Sequence, residues 1–166
     1  MMCKKNYFIF ILLTSCFVSF AQYVLPNEEV IFSFETQSGK KVTLNKDKEN
    51  KYIIYRFGTK NKVELEFSDK TKNSFKQFNY SFYMRGGGAQ NEDMDLNYVS
   101  FTNVNYKYVI YDPYYAVGNK KEIGIKVIDL KTSQPQTIKG NYTTRKGTLI
   151  NFRDNALISV DEVLPE

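Results

Sequence analysis

Apolar and polar residues alternate with period two through most of this chain, and helical spacing is hard to find in it. Residues 29–36, 41–46, 52–57, 62–68, 75–84, 96–102, 106–111, 122–130, 136–140 and 148–152 read as strands, rich in Val, Ile, Thr, Tyr and Phe. Turn signals separate them at short intervals, among them Ser38-Gly39, Gly58 to Asn61, Asp112-Pro113, Gly118-Asn119 and Lys146-Gly147. This pattern predicts an all-β fold: one antiparallel meander of about eight to ten strands, closed into a barrel or folded into a sandwich. Only residues 154–163 offer a short C-terminal helical turn, with Asp154 as its N-cap.

One hairpin can be registered. Ile53, Tyr55 and Phe57 form one apolar face and Val63, Leu65 and Phe67 another, and directly opposite residues share a face. Phe57 is therefore expected opposite Val63, Tyr55 opposite Leu65, and Arg56 opposite Glu64 on the other side, around a Thr59-Lys60-Asn61 loop. Further on, Phe78, Tyr80, Phe82 and Met84 share a face, as do Val99 with Phe101 and Tyr106 with Tyr108 and Ile110. These rows predict the two halves of a core. Val109 and Tyr111 are apolar too, which marks their strand as central and covered on both faces.

The N-terminus has its own logic. Lys4 and Lys5 precede an apolar stretch, residues 7–20, interrupted by Thr14, Ser15, Cys16 and Ser19, and Ser19-Phe20-Ala21 has small-x-small form. Residues 1–21 thus read as a signal peptide, leaving a single β domain over residues 22–166. The stretch is shorter than the roughly 18–20 apolar residues a permanent span needs, so the mature chain is expected to have none. Leu13-Thr14-Ser15-Cys16 also has lipobox form, and lipidation at Cys16 is the alternative. Export to the periplasm or the medium is expected in the first case and a lipid-anchored envelope protein in the second.

Composition limits the chemistry. There is no histidine, and both cysteines lie in the first 16 residues. A chain cut after Ala21 has no Ser-His-Asp or Cys-His system, no imidazole or thiolate metal ligands, and no disulfide. Catalysis is left to carboxylates, lysine, tyrosine or serine. Glu64 and Glu66, about 7 Å apart by strand rise, form a conceivable carboxylate pair, although charges alternating with Val63, Leu65 and Phe67 are what a half-buried strand looks like. Gly86-Gly87-Gly88 lacks the following Lys-Ser/Thr of a phosphate loop and reads as a flexible hairpin. Glu92, Asp93 and Asp95 beside it lack the ligand order of a calcium loop, so no metal and no cofactor is expected.

Without Lys4 and Lys5, 21 cations stand against 18 anions, a net charge of +3. Residues 40–76 hold eleven of the cations and five of the anions. Lysines along a sheet edge that block edge-to-edge pairing account for this excess, and no nucleic-acid partner is expected.

Gly39-Lys40-Lys41-Val42-Thr43-Leu44, Tyr55-Arg56-Phe57-Gly58, Lys62-Val63-Glu64-Leu65, Gly86-Gly87-Gly88, Tyr98-Val99-Ser100-Phe101 and Tyr108-Val109-Ile110-Tyr111 occur here in a fixed order. In that order and spacing the chain resembles a set of small exported bacterial β-proteins of uncharacterised function, over residues 38–130. The resemblance implies export and a β domain, and it transfers no activity. Many such proteins carry a cysteine pair where Asn45 and Gly140 stand here. A looser architectural analogy is to periplasmic lysozyme inhibitors, although a positive chain is poorly suited to gripping a basic lysozyme.

The leading expectation is a non-enzymatic envelope module that binds a protein or a glycan. Tyr114 and Tyr115, the 86–95 loop with Gly86, Gly87 and Gly88, and the pair Arg56 and Glu64 are its contact candidates. A carboxylate-based enzyme acting on polysaccharide and a structural envelope lipoprotein are the alternatives.

Overall fold

In a computed structural model of the chain, residues 22–165 are described. Residues 1–21, on which the signal peptide and the lipidation of Cys16 fall, lie outside that range. Twelve strands form, more than the eight to ten expected: β1 (Glu28–Thr36), β2 (Lys41–Asp47), β3 (Ile53–Thr59), β4 (Lys62–Phe67), β5 (Phe78–Arg85), β6 (Met94–Asn103), β7 (Tyr106–Tyr111), β8 (Tyr114–Tyr115), β9 (Lys120–Lys121), β10 (Gly124–Asp129), β11 (Pro135–Gly147) and β12 (Ser159–Asp161). The fold is all-β and almost wholly antiparallel, in one continuous sheet that does not close. Its order is β12-β5-β6-β7-β10-β11-β1-β2-β3-β4, with β8 paired to β6 and β9.

Strand β11 joins the two halves. Its first residues, Pro135 to Lys139, pair with β10, and from Gly140 onward it pairs with β1. The ladder to β1 is interrupted between Ser33 and Glu35, where the Glu35 N–H donates instead to Thr144 Oγ1 at 2.8 Å. Bulges of this kind bend a strand and strengthen its twist, which lets one sheet fold over on itself.

The inward rows then meet. Phe32, Phe34, Val42, Leu44, Ile53 and Tyr55 come from one half, and Phe78, Tyr80, Val99, Phe101, Ile110 and Ile125 from the other, all essentially without solvent contact. Phe67 stacks on Phe101 with ring centroids 4.3 Å apart, and Tyr55 lies 4.9 Å from the same ring. A side chain of this size stabilises by about 1.5–3 kcal/mol when fully buried. The face assignments made from alternation, including the double coverage of β7 through Val109 and Tyr111, agree with this arrangement except at the strand ends, where Met84 and Tyr106, expected in the core rows, are exposed.

Three local expectations are corrected. Residues 148–152 are no strand: Ile150–Phe152 form a turn of 3₁₀ helix, because Leu149 and Phe152 turn inward to plug the core. Residues 154–163 carry no helical turn; Ser159–Asp161 run parallel to β5 and satisfy its otherwise open edge. The 53–67 hairpin has a different register. Thr59 pairs with Lys62 and Gly58 with Val63, then Glu64 bulges out, so that Phe57 faces Leu65, Tyr55 faces Phe67 and Arg56 faces Glu66. Relative to expectation the far side has slipped by two residues, which keeps Leu65 and Phe67 on the core face while changing the partner of Arg56.

The outer face of β1–β3 is covered by the lead-in from Tyr23 to Asn27. The Tyr23 carbonyl accepts hydrogen bonds from Asn45 (2.7 Å), Arg56 (2.9 Å) and Thr43 (3.4 Å), and its hydroxyl donates to the Thr59 carbonyl at 2.7 Å. Gly58 makes room for that ring: a Cβ there would lie 2.8 Å from the Tyr23 hydroxyl. Strand β4 is one edge of the sheet, with Lys60, Lys62 and Lys70 exposed along it.

Candidate functional site

Alternation along β6 sends Val99 and Phe101 inward and Tyr98 outward, against the outward Tyr111 of β7, its direct partner. After Tyr111, Asp112-Pro113 carries the chain round so that β8 continues along β6, and Tyr115 comes opposite Met94. Tyr98 and Tyr115 are half-buried, and Tyr111 is almost covered. The Glu122 carboxylate approaches Tyr98 and Tyr111 closely enough to act on both phenols. Burial first, then the neighbouring Tyr115 and Glu122, push the Tyr98 phenol up to about 12. Burial and Glu122 raise Tyr111 as well. Both remain neutral hydroxyls through the physiological range.

A cleft of about 220 Å³ opens beside this face, lined by Tyr111, Tyr142, Lys121, Glu122, Lys139 and Gln37, with Ile123 and Gly140 in its wall. A Cβ on Gly140 would sit 2.7 Å from both the Phe34 ring and the Ile123 side chain, so packing beneath the cleft requires glycine. The Lys120 ammonium lies 5.8 Å from the centre of the Tyr115 ring and 2.8 Å from Glu122, and Lys121 lies 5.8 Å from Tyr114.

The fold gathers some of the residues singled out from sequence and separates others. Tyr114 pairs with Asp95, Tyr115 with Met94, and the Ala116 N–H donates to the Asp93 carbonyl, so β8 and the 86–95 loop form one end of the molecule. Gly86, Gly87 and Gly88 are exposed there, the last two at φ of 113° and 72°, and Arg85 closes the loop on Glu92 at 2.8 Å. Arg56 and Glu64 lie in the other half. Arg56 is enclosed by Glu28, Glu66 and the Tyr23 carbonyl, and Glu64 pairs instead with Lys40 at 2.5 Å. Glu64 and Glu66 thus serve different cations and do not act as a pair.

A second polar cluster sits at the inner end of β5 and β6. The Tyr80 hydroxyl donates to Asn97 Oδ1 at 2.5 Å, and Arg153 bonds Tyr80, Asn97 and Asp95. Nearby, Arg145 holds Asp112 through contacts of 2.5 to 3.2 Å. Burial raises the Asp112 carboxyl, Asp95 adds to this, and Arg145 opposes it. Each carboxylate is engaged by an arginine, and the cluster ties the segment after β11 to the sheet. Among the described residues no three acidic or other ligating side chains come together as a metal site, and no helix is long and apolar enough to cross a membrane.

Residues Tyr98, Tyr111, Glu122, Lys121 and Lys139 were not singled out from the sequence as a site. The available signal was Tyr98 itself, a large aromatic on the outward face of a strand whose inward face is already filled by Val99 and Phe101. In comparisons with protein families, with curated proteins and with solved structures, nothing matches this chain.

Proposed function

We propose that this chain is an exported, non-enzymatic β-domain that binds a glycan of the cell envelope. The observation that carries the proposal is the outward grouping of Tyr98, Tyr111 and Tyr115 around Glu122, beside a polar cleft. Tyrosine offers a flat apolar ring for the C–H face of a sugar and a hydroxyl for its polar edge. A carboxylate, an amide and ammonium groups within reach supply the directional contacts that sugar hydroxyls need. Export rests on the form of residues 1–21, with periplasmic or secreted location on cleavage after Ala21 and anchoring through Cys16 as the alternative.

The test is a saccharide panel titrated calorimetrically with the purified protein and with Tyr98→Ala and Tyr115→Ala variants. Binding by the wild type that each variant weakens at least about tenfold, or roughly 1.4 kcal/mol, supports the proposal. Absence of any saccharide binding at about millimolar ligand, a free energy near −4 kcal/mol, sinks it.

A further inference from the structure

Charge at the cleft narrows the ligand. Lys121 and Lys139 both line it, both are exposed, and neither is in an ion pair among the described residues. The carboxylate that lines it, Glu122, is already met by Lys120 at 2.8 Å. Arg145, whose guanidinium lies 5.7 Å from the centre of the Tyr142 ring, spends its charge on Asp112. The cleft therefore has two lysines without a carboxylate partner in its lining beside Tyr111 and Tyr142, the ammonium of Lys121 lying 5.8 Å from the centre of the Tyr114 ring. At about 220 Å³ it is smaller than the roughly 300–1,000 Å³ of pockets for drug-sized ligands, a size suited to one ring or a terminal group.

We infer that the site takes an anionic saccharide, with a carboxylate- or sulfate-bearing sugar residue seated between Tyr111 and Tyr142 and its charge held by Lys121 and Lys139. The inference rests on the glycan reading above and specifies its ligand class. The tyrosines supply the stacking surface common to any sugar, and the lysines discriminate charged from neutral ones. Gln37, with a donor and an acceptor at the same cleft, suits a ring hydroxyl.

The experiment compares oligogalacturonate and a sulfated oligosaccharide with the neutral oligosaccharides of the same backbones, at about 0.05 M and about 1 M salt, where the screening length falls from well over 10 Å to about 3 Å. The proteins are wild type, Lys121→Gln with Lys139→Gln, Lys48→Gln with Lys70→Gln as a remote basic control, and Tyr115→Ala, each checked by circular dichroism. The expected result is at least tenfold preference for one acidic ligand at low salt, lost at high salt and in the Lys121/Lys139 variant but kept in the remote control. Preference for the carboxylate or for the sulfate arm identifies which anion the site takes. Equal affinity for neutral ligands, weakened by Tyr115→Ala, overturns the charge inference and leaves the glycan reading standing. Acid preference lost equally in the remote control overturns the assignment to this cleft. No binding in any arm overturns both.

Discussion

The Arg56 guanidinium meets the Glu28 carboxylate through two hydrogen bonds, Nη1 to Oε2 at 2.5 Å and Nη2 to Oε1 at 2.8 Å, with both side chains enclosed by protein. Glu28 also accepts from the Leu25 N–H and the Tyr52 hydroxyl, and Arg56 Nε donates to Glu66 at 2.6 Å. The pair pins the lead-in to the sheet. It is half of a network whose loss leaves the other half buried and unmatched.

Removing one partner is therefore expected to be costly. Arg56→Met leaves the Glu28 carboxylate buried beside the Tyr23 carbonyl, and the loss of stability should be about 3–5 kcal/mol by urea denaturation. Glu66→Gln, whose carboxylate is well exposed, should cost no more than about 1 kcal/mol.

The same pair sets a pH dependence. Burial pushes the Glu28 carboxyl up, but hydrogen bonds from Arg56, Leu25 and Tyr52 together with the Arg56 charge outweigh it and hold the group below its ordinary value of 4.5. A carboxyl whose pKa is lower folded than unfolded contributes stability that is complete above the unfolded value and is lost as pH falls through the folded one. Urea midpoints should fall on acidification below that ordinary value, and Glu28→Gln should flatten this limb while lowering stability at neutral pH. Asp112, raised by burial, acts with the opposite sign, so the comparison is made between wild type and Glu28→Gln at each pH.

Gly140 reports on packing under the cleft. An alanine Cβ there meets Phe34 and Ile123 at 2.7 Å, and neither can retreat from the filled core. Gly140→Ala should lower stability by about 1–3 kcal/mol, seen as a drop in thermal midpoint, and should weaken saccharide binding through displacement of the cleft wall.

Phe152 closes the core from the C-terminal side, where its ring centre lies 5.8 Å from that of Tyr80. Phe152→Ala should destabilise by about 3–5 kcal/mol and expose residues 153–165 to protease at a lower urea concentration than wild type. Equal protease resistance would show that β12 and Arg153 hold the segment without it.

Tyr98 gives a spectroscopic check of the outward face. In an alkaline absorbance titration its phenol should ionise at about 12, and Tyr98→Phe should reduce the late amplitude by one tyrosine, leaving the contribution of Tyr55, which burial also raises. Titration of Tyr98 and Tyr111 should leave saccharide binding unchanged from about pH 6 to pH 9, since burial holds both phenols above their ordinary value of 10.

The strand positions and core faces were legible because alternation is local. Residues such as Phe78 and Tyr80, or Val99 and Phe101, point the same way on any extended chain, and their apolar character already says which side is buried. Ten candidate segments led to a sheet of twelve strands. Nine of the ten became strands, and the three missed, β8, β9 and β12, are two or three residues each and too brief to show a period. The Arg56 partner was misassigned because the turn is one residue tighter than expected, with Thr59 paired to Lys62, and one bulged residue, Glu64, shifts the register once more beyond it. The cysteine pair implied by the expected resemblance would fall at positions 45 and 140, which pair with Val30 and Thr36 of β1 from opposite sides. At about 3.3 Å per residue that offset is roughly 20 Å, well beyond the 7 Å limit for a disulfide between Cα atoms.

The sequence alone determined that the described part of this protein is β, which face of most strands is buried, and that histidine chemistry is absent from it, since these follow from residue type and a two-residue period. Tertiary structure decided which glutamate neutralises Arg56, that residues 159–161 extend the sheet, and that Tyr98, Tyr111, Tyr115, Glu122 and Lys139 come to one face. These residues are up to 41 positions apart in the chain, and only strand pairing and a bent β11 bring them within reach of one another. Pairing depends on hydrogen bonds to distant partners and on where a bulge falls, and neither leaves a periodic trace in the residues themselves.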